Sequence, residues 1–514
     1  MQYKKSILEL PFFSSLVKAY LRQDENTQKL YSFAPTIDGL LEALKSKENN
    51  YSHRNLLEKI LDRNYTSAEN LSSTEIENIG LLKENGFAVT TAHQPNLFLG
   101  PLYIITKAAS IIALANLLNS KLGKKKIVPI FVIGSEDHDK EELLNVTLFG
   151  KKFEWITEQK GAIGSMKVDE SLISLLNDWT SSFANLPYTE ELKNIFIESY
   201  SIHNSLANSY AHVLKKLFGH HGLIVLDLNQ KEVKEAMIPV FEDELKNKFS
   251  HLAIQSNLEF IQKEFSIQAS PRDINLFEFK HGERIRIDSV DEEMIQRLHA
   301  QPENFSPNVI LRPLMQQTVL PSIANIGGGA EVAYWLQLKP IFDQKNIDFP
   351  IILLRDIFSP LDTKSFEKWN SSNLGLDDFF ISVDELKKKI ILQDSSLESD
   401  MKKIESDVLS QFKSLENILV QIDKSLVGSY EAEQVKLLKS IESLYGKAIK
   451  AEKKKNEDLL LGLEKIKNKV FENNGLIERK ENFSAFYLRY GQLWIDDMVA
   501  NSNPLLAEWK LYIK

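Results

Sequence analysis

Short apolar runs alternate with helical stretches through the first two-thirds of the chain. Residues 86–91, Gly-Phe-Ala-Val-Thr-Thr, are apolar and β-branched and predict a buried strand. A loop with Pro95, Gly100 and Pro101 follows, and residues 103–118 then have helical length and composition. Residues 127–133 predict a second strand after Gly123. Strand, loop, helix, strand is the unit of a parallel sheet with a right-handed crossover. Similar strands are predicted at 222–227 and 349–354, which points to a doubly wound α/β sheet. Ligands bind such sheets outside the carboxyl ends of the strands. Residues 1 to about 80 read as helical and polar. Residues 275–279 and 283–287 alternate like a small antiparallel excursion.

From Val383 the composition turns to Lys, Glu, Leu and Ser, without proline until Pro504. Leu397, Met401, Ile404, Val408, Leu415, Ile418 and Ile422 recur at heptad-type steps, interrupted by Gln411. Val427-Gly428-Ser429 reads as a turn. A second series follows in Leu438, Ile441, Tyr445, Ala448, Leu459, Leu463, Ile466 and Val470, with Glu452 and Lys455 as polar interruptions. Two such helices form a long antiparallel coiled-coil arm extending roughly 50 Å at 1.5 Å per residue. Asn473-Asn474-Gly475 is the predicted stop. The expected organisation is a core over 1–382, the arm over 383–475, and a C-terminal segment, 476–514, packing back on the core.

With 514 residues, the chain exceeds what one hydrophobic core usually holds, which agrees with several domains. A net charge of -9 leaves no basic surplus to neutralise phosphates, so no nucleic-acid partner is expected. There are no cysteines, which excludes disulfides, thiolate metal sites and a cysteine nucleophile. Any thiol the protein handles belongs to its substrate. The N-terminus has no sustained apolar segment, and the apolar stretch 104–118 is short and carries Lys107. It reads as a buried helix and not a membrane span, so a cytoplasmic protein without a membrane partner is expected.

Three segments carry candidate chemistry. His93 and Gln94 fall at the carboxyl end of the first predicted strand, before a helix whose free N–H groups suit a phosphate. An ordinary strand–helix connection explains them equally well. Ser135-Glu136-Asp137-His138-Asp139 follows the second strand. Neighbours in a row diverge, so not all can meet one ligand, and Asp139 to Glu142 also fits a capping box. Two carboxylates and a histidine leave a metal as an option that the spacing does not require. Gly327-Gly328-Gly329 allows close backbone approach, and Glu331 is placed to accept from a ribose diol. Arg312 is suited to bidentate binding of a carboxylate or phosphate, or to a structural ion pair.

Taken together, residues 91–103 (TAHQPNLFLGPLY), 129–142 (PIFVIGSEDHDKEE), 306–316 (SPNVILRPLMQ) and 327–340 (GGGAEVAYWLQLKP) closely resemble the bacillithiol biosynthesis cysteine-adding enzymes. The helical hairpin and the Glu478-Arg479…Asn482 segment resemble them too. Ala92 and Ile477 depart from the family pattern, which usually has Gly and Gln there. The resemblance implies a Rossmann-like core, a coiled-coil arm that dimerises, and a ligase adding cysteine to the amine of glucosaminyl-malate. It implies ATP as co-substrate and leaves Mg2+ as an option. The family's motifs do not themselves spell out a catalytic residue; if the reaction holds, catalysis is expected of His93, Asp137 and His138. Substrate or nucleotide binding falls to Gln94, Asn96, Gly100, Tyr103, Glu136, Asp139, Arg312, Gly328, Gly329, Glu331 and Trp335, and no metal ligands are assigned. Two alternatives stay open: another adenylate-forming or nucleotidyl-transferring enzyme on the same core, and a non-enzymatic coiled-coil scaffold. The ligase reading requires His93, His138 and Glu331 to meet around one crevice.

Overall fold

The computed structural model describes residues 2–65, 71–183, 185–393, 397–473 and 475–514. They form two compact units, residues 2–358 with 478–511, and residues 359–477 with 512–514.

The first unit is built on five parallel strands: β1 (Phe87–His93), β2 (Ile127–Ile133), β3 (Ile224–Asp227), β4 (Ser322–Gly327) and β5 (Ile351–Leu354). Their spatial order is β5-β4-β1-β2-β3, which read from the other edge is the 3-2-1-4-5 order of a Rossmann-like sheet. The order reverses between β1 and β4, so a crevice is expected at their carboxyl ends. β2 matches its predicted range, whereas β3 and β5 each begin two residues late. Gly222 adopts φ +78 and ends a turn before β3. Pro350, which has no N–H to give a ladder, precedes β5.

β4 was not predicted from the sequence, because Ser322 and Asn325 interrupt its apolar pattern. Both are buried, and both find partners across the sheet. Thr90 Oγ1 lies 2.9 Å from Ser322 Oγ and donates to Asn325 Oδ1 at 3.2 Å. Gln316 Nε2 donates to the same Oδ1 at 3.1 Å. These bonds offset much of the desolvation cost of placing Ser322 and Asn325 in a central strand.

Helix α1 (Tyr103–Leu122) packs on β1, β2 and the helix Gln492–Ala500. By length and composition it could cross a membrane, but most of it is buried in this core, as its reading as a core helix requires. The stretch expected to be helical through residue 80 opens instead with a strand, Gln2–Ser6. The antiparallel excursion is present as Leu276–Lys280, Glu283–Arg286 and Phe305–Pro307. Its hairpin turns at His281-Gly282, both with positive φ, as a tight two-residue turn demands.

Helix α2 (Gly329–Gln337) starts at the end of β4. In the second unit, α3 (Leu397–Ile422) and α4 (Val427–Lys455) form the antiparallel hairpin, with Val383–Gln393 packed on α4. Three details of the arm differ from expectation. The turn is at Lys424–Leu426, capped by the Asp423 side chain accepting from Ser425 N, and 427–429 are already helical. Asp is a strong cap, and it outweighs the modest helix penalty of Gly428. The second helix breaks at Asn456, restarts as Glu457–Asn468 and stops before Val470. Beyond it Phe471–Glu472 pairs with Gly475–Leu476, while Asn474 lies outside the described residues. Ile418 and Ile422 near the tip are 55% and 71% exposed, so part of the heptad seam is not covered within the hairpin.

Candidate active site

A cavity of about 880 Å³ opens at the carboxyl ends of the strands, where the sheet order reverses. His93 ends β1, Glu136 to Asp139 follow β2, Gly328 and Glu331 follow β4, and Arg355 follows β5; all line it. His93, His138 and Glu331 therefore share one crevice, from three distant parts of the chain.

His93 is held from both sides. Its Nδ1 is 3.1 Å from the Gln94 carbonyl and its Nε2 is 2.9 Å from the Tyr103 hydroxyl. The carbonyl can only accept, so Nδ1 carries the proton and Nε2 accepts from Tyr103. Burial, reinforced by the positive charge of Lys107, pushes its pKa from 6.5 down to about 3. His93 is thus a neutral orienting group and not a proton carrier near neutrality. Between about pH 3 and 6.5 the unfolded chain binds a proton there that the folded protein does not, so stability falls as pH drops through that window. Histidine NMR is expected to show no titration of His93 between pH 5 and 8.

Lys107, 1% exposed, donates to the Ala92 carbonyl at 2.8 Å and pairs with Glu331 Oε2 at 2.7 Å. Glu331 Oε2 also accepts from Gly328 N at 2.8 Å. Burial works against the charge on Glu331, but Lys107 and the Gly328 N–H together hold its carboxyl below the ordinary range. One carboxylate oxygen is thereby committed to the protein.

Gln94 Nε2 donates to Asp137 Oδ2 at 3.0 Å, and Asp137 Oδ1 accepts from His138 N at 2.7 Å. Burial pushes the Asp137 carboxyl up, but these bonds and the Arg284 charge bring it below its usual value. His138 stands beside it, half exposed, with Nδ1 3.3 Å from Arg284 Nη1 and its ring edge-on to Phe277. Arg284 lies over the Phe277 ring, 4.0 Å from its centroid, and donates to Ser306 Oγ and the Pro307 carbonyl. Glu136 is paired with buried Lys234. Asp139 caps the short helix Lys140–Leu143, accepting from Glu142 N at 3.1 Å, which is one half of the capping box expected there; the Asp139 N–H donates instead to Asp137 Oδ1.

Five arginines line the cavity: Arg272, Arg284, Arg312, Arg355 and Arg479. Arg312 Nη2 donates to the Tyr334 hydroxyl at 3.2 Å, leaving Nη1 buried without a partner among the described residues. Arg355 forks onto Glu478 at 3.0 and 2.5 Å, leaving Nε in the same condition. Arginines that line a cavity with donors not all used within the protein suit a carboxylate or phosphate.

Four expected binding residues do not line this cavity: Asn96, Gly100, Gly329 and Trp335. Leu97–Leu99 is a buried 3-10 turn with Phe98 stacked on Trp179, so the loop is a packing plug. Asn96 is 4% exposed beneath it. Gly100 adopts φ +61 and ψ -149, and its carbonyl accepts from Asn482 Nδ2. A Cβ there would meet Asn96 Cβ at 2.6 Å, so Gly100→Ala is expected to cost roughly 1–3 kcal/mol, read from the unfolding midpoint. Gly329 faces the Phe13 ring, where a Cβ would approach to 3.0 Å. Trp335 is 1% exposed and stacks on Phe342 in the core. Of the triple glycine, only Gly328 fronts the cavity, while Gly327 leaves room for the returning Glu331 side chain.

The fold and the site define an α/β protein with a Rossmann-like core, a cavity at its switch point, and a helical coiled-coil domain. The chain belongs to the bacillithiol biosynthesis BshC family. Residues 1–356 match that family's N-terminal Rossmann-like domain and residues 360–513 its C-terminal coiled-coil domain. A relative from Flavobacterium johnsoniae is 34% identical over 96% of both chains. One from Flavobacterium psychrophilum is 34% identical over 99% of this chain and 98% of its own. One from Christiangramia forsetii is 32% identical over 98% and 97%. All three carry the name "Putative cysteine ligase BshC".

Proposed function

We propose that the protein is a ligase that joins the carboxyl group of L-cysteine to the amine of glucosaminyl-malate as an amide, the last step of bacillithiol biosynthesis, with ATP activating the carboxylate. The reading rests on one observation: Arg312 and Arg355, each with a guanidinium nitrogen unpaired among the described residues, line the same cavity as the Asp137–His138 pair. Every reactant it names is anionic or carries an anionic group, and the arginines supply matching charge.

An amine attacks an unactivated carboxylate poorly. In the proposed reaction a carboxylate oxygen of cysteine attacks the α-phosphorus of ATP and pyrophosphate leaves. The amine nitrogen then attacks the acyl carbon, loses a proton, and expels AMP. Arg312 and Arg355 bind the anionic groups. Ionised Asp137 orients the amine, and His138 beside it accepts the proton once Arg284 yields its Nδ1. His93 and Tyr103 fix the wall between β1 and α1. Holding the reactants in line can supply roughly 7–11 kcal/mol of the barrier.

The cavity carboxylates Glu136, Asp137, Asp139 and Glu331 are already engaged by Lys234, Gln94, Glu142 N and Lys107. Burial and then neighbouring Asp137 and Asp139 push the Glu142 carboxyl upward, against the ionised form a resident cation would need. Mg2+ therefore fits as a companion of the nucleotide phosphates and not as a resident ion. The uncovered apolar seam at Ile418 and Ile422 supports dimerisation through the arm, and a cytoplasmic setting supplies ATP.

Release of pyrophosphate on adding ATP with cysteine, compared with other amino acids, tests this function. The reading predicts release that depends on cysteine. Equal release with any amino acid would instead place the chain with another adenylate-forming activity.

A further inference from the structure

The core carries a second polar cluster, at the amino end of the sheet, opposite the catalytic cavity. Gly219–His221 forms a 3-10 turn closed by Gly222 just before β3. Consecutive side chains usually diverge, but here the imidazoles of His220 and His221 lie side by side, with ring centroids 4.0 Å apart. The turn is locked: a Cβ at Gly222 would meet Asn78 Nδ2 at 2.5 Å. Both Nε2 atoms lie 2.9 Å from the same oxygen, Asp496 Oδ1, on the helix Gln492–Ala500.

We propose that His220, His221 and Asp496 bind one divalent transition-metal cation of the Zn2+ type. The three ligand atoms lie within 4.8 Å of one another. Tetrahedral zinc with bonds of about 2.0–2.1 Å sets its ligand atoms about 3.3 Å apart, so each imidazole nitrogen, at 2.9 Å from Asp496 Oδ1, needs to move only a few tenths of an ångström from that oxygen. Without a cation, two imidazole N–H groups and Gln492 Nε2, at 3.0 Å, all donate to a single carboxylate oxygen. That is one donor more than its two lone pairs accommodate well. A metal replaces two of those protons with one centre, and two imidazoles with a carboxylate are ligands that zinc accepts, leaving a fourth position for water.

One further feature suits a ligand set. Gln492 also donates to the Leu217 carbonyl at 3.0 Å, so its amide fixes the carboxylate from behind, as outer partners of metal ligands do. A cation here would clamp the turn that launches β3 to the helix that packs on α1, away from the reacting groups.

The test is titration of chelator-treated full-length protein with Co2+. The expected result is a visible d–d absorption that saturates at one equivalent and is displaced by Zn2+. Gln492→Ala is expected to weaken binding about 10–100-fold. His220→Ala, at a half-exposed position that the fold tolerates, is expected to abolish the band while the circular dichroism stays unchanged. Asp496→Asn should do the same. Absence of a saturating band in the wild type, or a band of equal amplitude in His220→Ala, would overturn the proposal.

Discussion

Glu478→Ala is expected to lower folding stability by about 3–5 kcal/mol, the loss typical of a broken buried ion pair. Arg355 and Glu478 side chains are 4% and 0% exposed, and two hydrogen bonds join them. Truncating the carboxylate strands a largely buried guanidinium that keeps only its bonds to Thr106 Oγ1 and the Asp356 carbonyl within the protein. Its charge persists, because arginine does not deprotonate in proteins. Glu478→Gln keeps the shape and is expected to recover only part of the loss. Denaturant midpoints of the three proteins measure both effects. A loss below about 1 kcal/mol for the alanine variant would mean that the pair is hydrated and that Arg355 is not preorganised for an anion.

His138→Ala is expected to reduce ligation about 10²–10⁴-fold, the usual contribution of a positioned proton acceptor. The side chain is 44% exposed and touches Arg284 and Phe277 only at its edge, so stability should barely change. Asp137→Asn is expected to fall in the same range with a raised KM for the amine substrate, because it removes the charge that orients it. Steady-state rates at saturating cysteine and ATP separate the two. Activity within twofold of wild type in both variants would move the chemistry elsewhere in the cavity.

How far these side chains could be placed from the sequence depended on the elements that carry them. β1, β2 and α1 announce themselves by continuous apolar runs, and His93 and Asp137 to Asp139 follow from the rule that ligands gather at strand ends. Arg355 obeys the same rule, one residue past β5, yet a lone arginine after a strand carries no signature and was passed over. β4 stayed hidden because Ser322 and Asn325 break its apolar run, and their cross-strand partner Thr90 lies more than 230 residues away in sequence. Without β4 the switch point could not be located. Arg284 and Phe277 sit on the antiparallel excursion, whose alternation is readable but whose orientation toward the cavity is not. The loop from Asn96 to Gly100 misled for a related reason. Its prolines and glycine suggest an open ligand loop, while Leu97, Phe98 and Leu99 are buried through contacts with helices a hundred residues away. In the arm, heptads fix the pairing face, but the local competition between Asp423 and Gly428 fixes the turn.

The most direct test of the account is formation of the amide product in that one cavity. Full-length protein would be incubated with glucosaminyl-malate, cysteine and ATP, and the mixture read by mass. The wild type is expected to form the cysteinyl amide, with AMP and pyrophosphate in equal amounts, and a folded Arg312→Ala variant to form little. No amide from folded wild-type protein, or an undiminished yield from Arg312→Ala, would contradict it.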